Sequence, residues 1–260
     1  MRHMHAYAAL HPAAPEISAQ LLPLIPDEAW AVPACAVVRG GVPRVSVDDP
    51  RAPSVVAVET TTADGPSLFL FGAAESPALT ACIRALAGPV TLRAAAPIAS
   101  RIVTERPDAI AHRWATFTFP ASGTDAPFAI LPPGGVRRLR VADVRHLAAF
   151  PAWLWAGYGS PEAMLREGIA YARYLRAELV AIACTAGTTE RYDAVAAYTI
   201  ERTRRNGFAR ECAHRLIGAI QGESGRLPML TASGENDAAI ALARSLGLTA
   251  CHDQTAYDLP

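Results

Sequence analysis

Residues 193–220 place the strongest constraint on the fold, because a predicted strand there runs through a polar loop directly into an amphipathic helix. The helix is indicated by apolar residues that recur at helical spacing on one face: Phe208, Cys212, Leu216, Ile217 and Ile220. The loop before it, RRNGFAR (Arg204 to Arg210), carries three arginines around Gly207. The first amides of a helix lack intrahelical acceptors, and the helix dipole adds partial positive charge at that end. The loop therefore predicts a site for a phosphate group, which a glycine allows to approach the backbone closely.

The composition of the chain excludes several functional classes. The 260 residues suffice for one large domain or two of modest size, and 51% hydrophobic with 18% charged residues is typical of globular proteins. A formal net charge of +0 argues against an extended basic surface for nucleic acid. All 24 basic residues are arginine, which excludes a pyridoxal phosphate Schiff base and a Walker-A lysine. The absence of a long apolar run predicts a cytoplasmic protein with no membrane partner.

The five cysteines are odd in number, widely spaced and set among apolar residues: Cys35, Cys82, Cys184, Cys212 and Cys251. There is no CxxC motif and no Cys/His spacing typical of metal ligands, so buried, reduced thiols are expected. His214 has no second ligand four residues further along its predicted helix, so no metal site is predicted.

Strands and helices alternate along the sequence, which predicts an α/β fold. In the first half we predict a helix from Ile17 that ends near Pro26, a helix after Ser76 and strands at residues 42–47, 54–59, 68–71, 90–92 and 114–119. Residues 120–135, rich in Pro, Gly and Ser, are the predicted linker. The second half has predicted strands at residues 136–141, 169–174, 178–184, 193–199, 227–233 and 255–259, with helices at 142–150, after Ser160, from Gly207 and from Asn236.

Over about residues 136–260 the chain resembles the GNAT superfamily of N-acetyltransferases. The family's phosphate loop, Arg/Gln-x-x-Gly-x-Gly/Ala, is matched by Arg204, Gly207 and Ala209, and Thr199 stands where a threonine often ends the fourth strand. A downstream family segment is matched, with Leu248 replacing an aromatic residue, by Asn236, Ala239, Leu242, Leu246 and Gly247.

The resemblance implies a fold and a division of the chain. The expected fold is a mixed, mostly antiparallel and splayed sheet flanked by helices. The first half is similar to the degenerate leading domain of a two-part GNAT group, so a smaller GNAT-like α/β domain is expected at residues 1–126, before the acyltransferase domain at 127–260.

The resemblance also implies a donor and its site. Acetyl-CoA, or another acyl-CoA, is the expected co-substrate, with pantetheine along the end of the fourth strand and pyrophosphate on the loop amides. The residues so assigned are Ala197, Tyr198, Thr199, Arg204, Arg205, Asn206, Gly207, Phe208, Ala209, Arg210 and Asn236. The expected reaction is direct attack on the thioester by a primary amine of a small molecule.

Catalytic side chains are less well defined by the sequence. The resemblance suggests Asp193 as general base, against the alternative of a solvated turn residue, with Glu190 as a weaker option. Many relatives have a tyrosine acid where this chain has Ala243. Tyr198, Tyr257 or a water would then protonate the thiolate, or no acid would be needed, because a CoA thiolate is a stable leaving group.

Three aromatic residues before the Gly-Ser-Pro turn, Trp153, Trp155 and Tyr158, are the predicted lining of the acceptor pocket; the alternative is the seam between the two halves. Two further functions stay open: a non-catalytic protein that binds or senses acyl-CoA, and an acetyltransferase acting on proteins. Homodimerisation is also left open.

Overall fold

The computed structural model describes residues 10–41, 44–119 and 135–260. Its strands are β1 (His11–Pro12), β2 (Val45–Val47), β3 (Val55–Thr62), β4 (Gly65–Gly72), β5 (Val90–Ala94), β6 (Ile110–Thr118), β7 (Val136–Arg138), β8 (Ala170–Leu175), β9 (Glu178–Thr188), β10 (Tyr192–Thr199), β11 (Leu227–Ser233) and β12 (Thr249–Leu259). Its α-helices are α1 (Ser18–Leu21), α2 (Val32–Arg39), α3 (Pro77–Ala85), α4 (Ala96–Glu105), α5 (Pro161–Glu167), α6 (Phe208–Ala219) and α7 (Asp237–Ser245).

The described strands form one sheet in the order β1-β2-β3-β4-β5-β12-β6-β11-β10-β9-β8-β7. All neighbouring pairs are antiparallel except β4 with β5 and β10 with β11. In both exceptions a helix, α3 or α6, connects the two parallel strands, as a parallel crossover requires. The predicted α/β fold with a mixed, mostly antiparallel sheet is therefore confirmed.

The two halves of the chain exchange their last strands. β6, from the first half, pairs with β11 of the second half from Trp114↔Ser233 to Thr118↔Met229. β12, the last strand of the second half, pairs with β5 of the first, and β6 and β12 also pair with each other. The sheet is thus continuous across both halves. The predicted boundary between residues 126 and 127 lies outside the described residues and stays a prediction.

Helix α2 adds a second contact between the halves. It packs on β3 of its own half and on β9 of the other half. At β9 the approach is so close that a Cβ on Gly187 would lie 2.4 Å from the Cβ of Ala36. Gly157 is equally constrained, since a Cβ there would lie 2.4 Å from the Ala186 carbonyl oxygen. These two glycines allow a helix of the first half to lie directly on the second.

Helices cover both faces of the sheet. In the first half, α3 and α4 pack on one face with Leu68 and Leu70, and α2 packs on the other with Phe69 and Phe71. In the second half, α6 and α7 cover one face of the sheet. The other face is covered by α5 and by the 3₁₀ helices Val141–Leu147 and Ala152–Trp155.

Several predicted elements were wrong in kind or extent. The helix predicted from Ile17 is only one α-helical turn, α1, between two 3₁₀ segments. Pro23 has no backbone N–H and so cannot donate the hydrogen bond that would continue the α-helix. The helix predicted at residues 142–150 is the 3₁₀ segment Val141–Leu147, and α2 and α4 were not predicted. The terminal strand begins at Thr249, six residues earlier than expected, which leaves Cys251 exposed while the other four cysteines are buried.

None of the helices in residues 10–41, 44–119 and 135–260 is both long and apolar enough to cross a membrane.

Candidate functional site

The sheet opens between β10 and β11. These strands pair in parallel only from Tyr192↔Leu227 to Ala194↔Met229 and diverge beyond that point. After the divergence β10 keeps its pairing with β9, while β11 keeps its pairing with β6. Each strand therefore presents an unpaired backbone edge to the gap. The splayed arrangement expected from the sequence is confirmed.

The backbone amides that face this gap can be identified from one hydrogen bond. The Ile200 amide, directly after β10, donates to the Val180 carbonyl oxygen on β9 at 3.0 Å. Successive amides of an extended strand point to opposite edges. The amides of Ala197 and Thr199, which follow the last pair with β11, consequently point away from β9 and into the gap.

A cavity of about 820 Å³ fills the gap and continues to the start of α6. This volume lies within the usual range of ligand sites, about 300–1,000 Å³. The β10 residues on its wall are Val195, Ala196, Ala197, Tyr198 and Thr199, the loop residues are Thr203, Arg204, Arg205, Gly207, Phe208, Ala209 and Arg210, and the α7 residues are Asn236, Ala238, Ala239, Ala241, Leu242 and Ser245. Ten of the eleven residues predicted to bind the donor line this single cavity; Asn206 does not.

The loop between β10 and α6 is held in shape by its own side chains. Asn206 Nδ2 donates to the carbonyl oxygens of Thr203, at 3.1 Å, and Arg204, at 3.2 Å. Arg204 Nε donates to the Thr199 carbonyl oxygen at 3.4 Å, which ties the loop to the strand end. Asn206 therefore acts on the loop geometry from outside the cavity.

Gly207 caps α6 in the left-handed region, with φ of 77°. In this described part of the chain no side chain caps the first turn, so its amides stay free for a ligand. A Cβ on Gly207 would meet no atom within 4 Å. The structural reason for glycine is thus its positive φ, and the predicted close approach of phosphate stays a prediction.

Positive charge surrounds this helix start. Arg204, Arg205 and Arg210 are exposed, and none of them forms an ion pair with a carboxylate among the described residues. Arg202, by contrast, pairs with Glu178. Together with the helix dipole, three uncompensated guanidinium groups make the loop a favourable site for an anion.

Helix α7 forms the opposite wall. Asn236 caps it, its Oδ1 accepting from the Ala239 amide at 3.1 Å, so the residue is an N-cap as well as part of the cavity wall. Ala243, which replaces the family's tyrosine, is fully buried in the core below. No acid is therefore available from that position.

Tyr198 lies on the wall near the loop end of the gap. Its ring makes edge-to-face contacts with Phe150, at 5.8 Å between centroids, and Trp153, at 6.5 Å. It follows the last paired residue, Ala194, by four positions, which corresponds to about 13 Å along a strand. This placement brings Tyr198 closer to the phosphate loop than to the divergence point, and its role as acid stays a prediction.

The three aromatic residues predicted to line an acceptor pocket have different surroundings. Trp153 lines the cavity. Trp155 is buried in the core between the 3₁₀ segments and α5. The Tyr158 hydroxyl donates to Thr185 Oγ1 at 3.1 Å, and burial raises its pKa to about 12. Only Trp153 is therefore placed to touch a molecule in the cavity.

Asp193 is not part of the cavity wall. Its side chain is nearly inaccessible, Oδ2 accepts from Ser224 Oγ at 3.0 Å, and Oδ1 lies 3.7 Å from Arg226 Nη1. Burial raises the pKa of this carboxyl group, and Ser224 and Arg226 oppose that shift. Its role as general base stays a prediction, which this placement disfavours.

The Asp193→Asn variant tests that role directly. Because the amide can still accept from Ser224 and residue 193 lines neither compartment, we expect turnover to stay within a few-fold of wild type. Steady-state kinetics and thermal unfolding of the same preparation measure this. A large loss of turnover at an unchanged melting temperature would instead support the base role.

A smaller compartment of about 90 Å³ adjoins the large cavity at the divergence point. The two share wall residues, among them Trp153, Val195 and Ala196. Part of its wall comes from the first half of the chain: Pro33, Thr60, Thr61, Thr62, Ala63, Asp64 and Trp114. Asp64 was not predicted as a site residue: an Asp-Gly pair can indicate a hairpin turn, but it does not indicate that the turn reaches the second half of the chain.

Among the residues that the structure describes, no three His, Cys, Asp or Glu side chains lie close enough together to hold a metal ion.

Comparison with known proteins supports this reading of the geometry. Residues 146–257 match the family model described as GNAT acetyltransferase. No curated protein matches the sequence. Among solved structures, the chain is similar to a GCN5-related N-acetyltransferase-like protein from Streptococcus suis 89/1591, with a TM-score of 0.67 and 18% identity over 95% of this chain and 99% of that one.

Two further solved structures share the fold. One is a putative GNAT-family acetyltransferase from Novosphingobium aromaticivorans DSM 12444, with a TM-score of 0.55 and 19% identity over 89% of this chain and 97% of that one. The other is a tandem GNAT protein from the clavulanic acid biosynthesis pathway, with a TM-score of 0.56 and 12% identity over 96% and 97%. Both extend over nearly the whole chain, as expected for a two-domain arrangement.

Proposed function

We propose that the chain is an acyltransferase of the GNAT superfamily, as its match to that family model over residues 146–257 supports, and that it transfers an acyl group, most simply acetyl, from coenzyme A to the primary amine of a small molecule. The observation that carries the proposal is the gap between β10 and β11, which runs from a divergence point to a positively charged helix start. A cytoplasmic location is part of the proposal, in keeping with five free thiols.

The gap fits an acyl-CoA in two respects. The amides of Ala197 and Thr199 offer a pantetheine chain backbone hydrogen bonds in place of those that β11 no longer makes. The loop offers a pyrophosphate free amides and uncompensated arginines. An acyl thioester, when bound, supplies an electrophilic carbonyl carbon and a sulfur leaving group.

The residues at the divergence point define what the protein contributes to catalysis. The Ala197 amide is the first beyond the last β10–β11 pair that faces the gap, and it is fixed by the pairing of β10 with β9. A preorganised amide of this kind stabilises negative charge that develops on a carbonyl oxygen. The remaining contribution is positioning, since two strand edges and the loop hold the donor along a fixed line.

A small acceptor is favoured by the compartment beyond the divergence point. Its volume of about 90 Å³ is well below the range of about 300–1,000 Å³ typical of whole-ligand sites. It therefore accommodates the end of an aminoalkyl chain and nothing larger. Asp64 is the one carboxylate on the wall of either compartment, so the described residues form no acidic groove for a basic protein.

A non-catalytic acyl-CoA-binding protein is the second candidate, favoured by the burial of Ala243 where relatives carry an acid. The two candidates differ in turnover. We expect acetyl-CoA to bind in calorimetry and free CoA thiol to appear when small primary amines such as ethanolamine, 1,3-diaminopropane and glucosamine are added.

Two results would decide against the proposal. Binding of acetyl-CoA without acylation of any amine in such a panel would favour the non-catalytic candidate. No binding of acetyl-CoA at all would remove both candidates. Sedimentation of the same sample would show whether the protein is a homodimer.

A further inference from the structure

The hairpin of β3 and β4, in the first half of the chain, places the carboxylate of Asp64 at the site in the second half. Thr62 pairs with Gly65, so the hairpin loop has only two residues, Ala63 and Asp64. Thr62 Oγ1 accepts from the Asp64 amide at 3.4 Å and donates to the Gly65 carbonyl oxygen at 3.2 Å. A two-residue loop fixed in this way places Asp64 with little freedom.

Asp64 lies where the two compartments meet. It lines both the large cavity and the small compartment at the divergence point. It forms no ion pair within 4 Å with any basic side chain in residues 10–41, 44–119 and 135–260. A carboxylate that forms no direct ion pair, at the place where the two compartments meet, is available to a cationic ligand.

The charged groups around Asp64 come from three neighbouring strands. They are Arg93 on β5, His112 on β6 and Asp258 on β12, and the Asn236 side chain lies beside the carboxylate as well. Desolvation raises the pKa of Asp64, which Arg93, Asn236 and His112 oppose and Asp258 reinforces. Asp64 as a residue is exposed at the hairpin tip, so the desolvation concerns the carboxylate against the wall rather than the whole side chain.

Aromatic side chains complete the compartment. Trp114 and Trp153 both line it, and indole rings attract cations. Trp114 is almost fully buried, yet its Nε1 has no hydrogen-bond partner among the described residues. Buried donors of this kind are normally paired, so the missing partner indicates a place for an acceptor atom, such as a water or a ligand oxygen, beside the ammonium position. Arg93 stacks on Trp114, 3.3 Å from guanidinium carbon to ring centroid, and so keeps this wall rigid.

We propose that Asp64 is the catalytic base of the acyltransferase: it binds the ammonium group of the acceptor in the small compartment and accepts its proton. The inference rests on the proposed function, whose site it completes. The first half of the chain is then a working part of the active site, and the acceptors it admits are primary amines that are cationic at neutral pH.

The proposed step balances in atoms and charge. The ammonium nitrogen gives one proton to the Asp64 carboxylate, directly or through one water. The freed lone pair forms a bond to the acyl carbon, the carbon–sulfur bond breaks, and the sulfur leaves as a thiolate. The amine's second proton is lost as the amide forms and is taken up by the thiolate through solvent, so that the products are an amide, a thiol and the one proton held by Asp64.

The test compares Asp64→Asn with a matched control, Asp49→Asn. Asp49 is an exposed turn aspartate of the same half, outside both compartments, that accepts from the Arg51 amide at 2.8 Å. Acetyl-CoA affinity, melting temperature and kcat are measured for both variants with ethylamine and with 2,2,2-trifluoroethylamine, whose nitrogen is largely unprotonated near neutral pH.

We expect Asp64→Asn to lower kcat with ethylamine by about 100-fold, the usual contribution of a general base, and to leave acetyl-CoA affinity unchanged. With trifluoroethylamine the loss should be only a few-fold, because no proton needs to be removed before attack. In wild type, the pH profile of kcat/KM should have an acid limb whose apparent pKa lies above the ordinary aspartate pKa of about 3.9. This limb should be absent from the pH profile of Asp64→Asn.

The melting temperature separates a catalytic from a structural role. A carboxyl group whose pKa is raised by folding makes the folded state less stable as pH rises from the unfolded to the folded pKa. Replacing Asp64 with Asn removes that penalty, so the variant should be at least as stable as wild type at neutral pH. Asp49→Asn should match wild type in every measurement.

Three outcomes would overturn the inference. Equal turnover of wild type and Asp64→Asn removes Asp64 as base and leaves the proposed function intact. An equal loss with both amines, or a lower melting temperature, indicates a structural role instead. If acetyl-CoA binds and neither these amines nor the wider panel is acylated by wild type, the proposed function fails first and the inference with it.

Discussion

Replacing Gly207 with glutamate should weaken acetyl-CoA binding by at least about 100-fold while the protein stays folded. The substitution puts a carboxylate at the start of α6, where the free amides and the helix dipole favour an anionic ligand. At about 4 Å and an effective dielectric constant near 20, two unit charges repel by about 4 kcal/mol. Even partial screening of that repulsion leaves more than the roughly 2.7 kcal/mol that corresponds to 100-fold.

The folded state should tolerate this change because Gly207 is not crowded. A Cβ there meets nothing within 4 Å, so only the positive φ of 77° opposes a side chain, at a cost of roughly 1–2 kcal/mol. Gly88→Glu is the matched control. Gly88 has a φ of 85° and equally open surroundings, but it lies after α3, far from the cavity.

Calorimetric titration with acetyl-CoA and thermal unfolding are measured for both variants. Gly88→Glu should lose a similar amount of stability and keep wild-type affinity. Adding Arg205→Ala to Gly207→Glu removes one positive charge and should weaken binding further. Wild-type affinity in the Gly207→Glu variant would contradict the placement of pyrophosphate on this loop, whichever acyl group the donor carries.

The donor side of the site could be predicted from the sequence because its determinants are local. A strand, a glycine-containing arginine loop and an amphipathic helix are consecutive in the chain, so their geometry follows from the backbone alone. One cavity is accordingly lined by four of the predicted residues: Thr199, Arg204, Gly207 and Asn236. Local signals also located every strand of the second half to within a few residues, except the start of β12.

The acceptor side could not be predicted because its residues are brought together by pairing across the whole sheet. Asp64 and Asn236 are separated by most of the chain and meet only because β6 and β12 are exchanged between the halves. The sequence of a strand does not specify its partner, because every strand edge presents the same backbone N–H and C=O groups for pairing. Asp193 was predicted to be the general base because of its position at the start of the fourth strand. In the structure its carboxylate instead accepts a hydrogen bond from Ser224 Oγ.

Expression of residues 127–260 alone should fail to give a folded, monomeric domain. Without β6, strand β11 loses its antiparallel partner from Met229 to Ser233, and the exposed edge becomes a template for aggregation. Phe117, which lies in the core shared with α6 and α7, is lost as well. Removing one large aromatic side chain from a core costs about 3–5 kcal/mol, which is a large part of the stability of a domain of this size.

Co-expression of residues 1–126 with residues 127–260 is the control, because it restores β6 and α2 without a covalent link. We expect a one-to-one complex by size-exclusion chromatography with multi-angle scattering, a cooperative thermal transition and acetyl-CoA affinity near that of the intact chain. The fragment 127–260 alone should show neither the transition nor the affinity. A monomeric fragment that unfolds cooperatively and binds acetyl-CoA would show that the exchanged strand is dispensable and that the halves are independent folding units. If only the complex folds and binds acetyl-CoA, the first half supplies two parts of the site. These are the strand β6, which closes the sheet beside the gap, and Asp64, which lies where the two compartments meet.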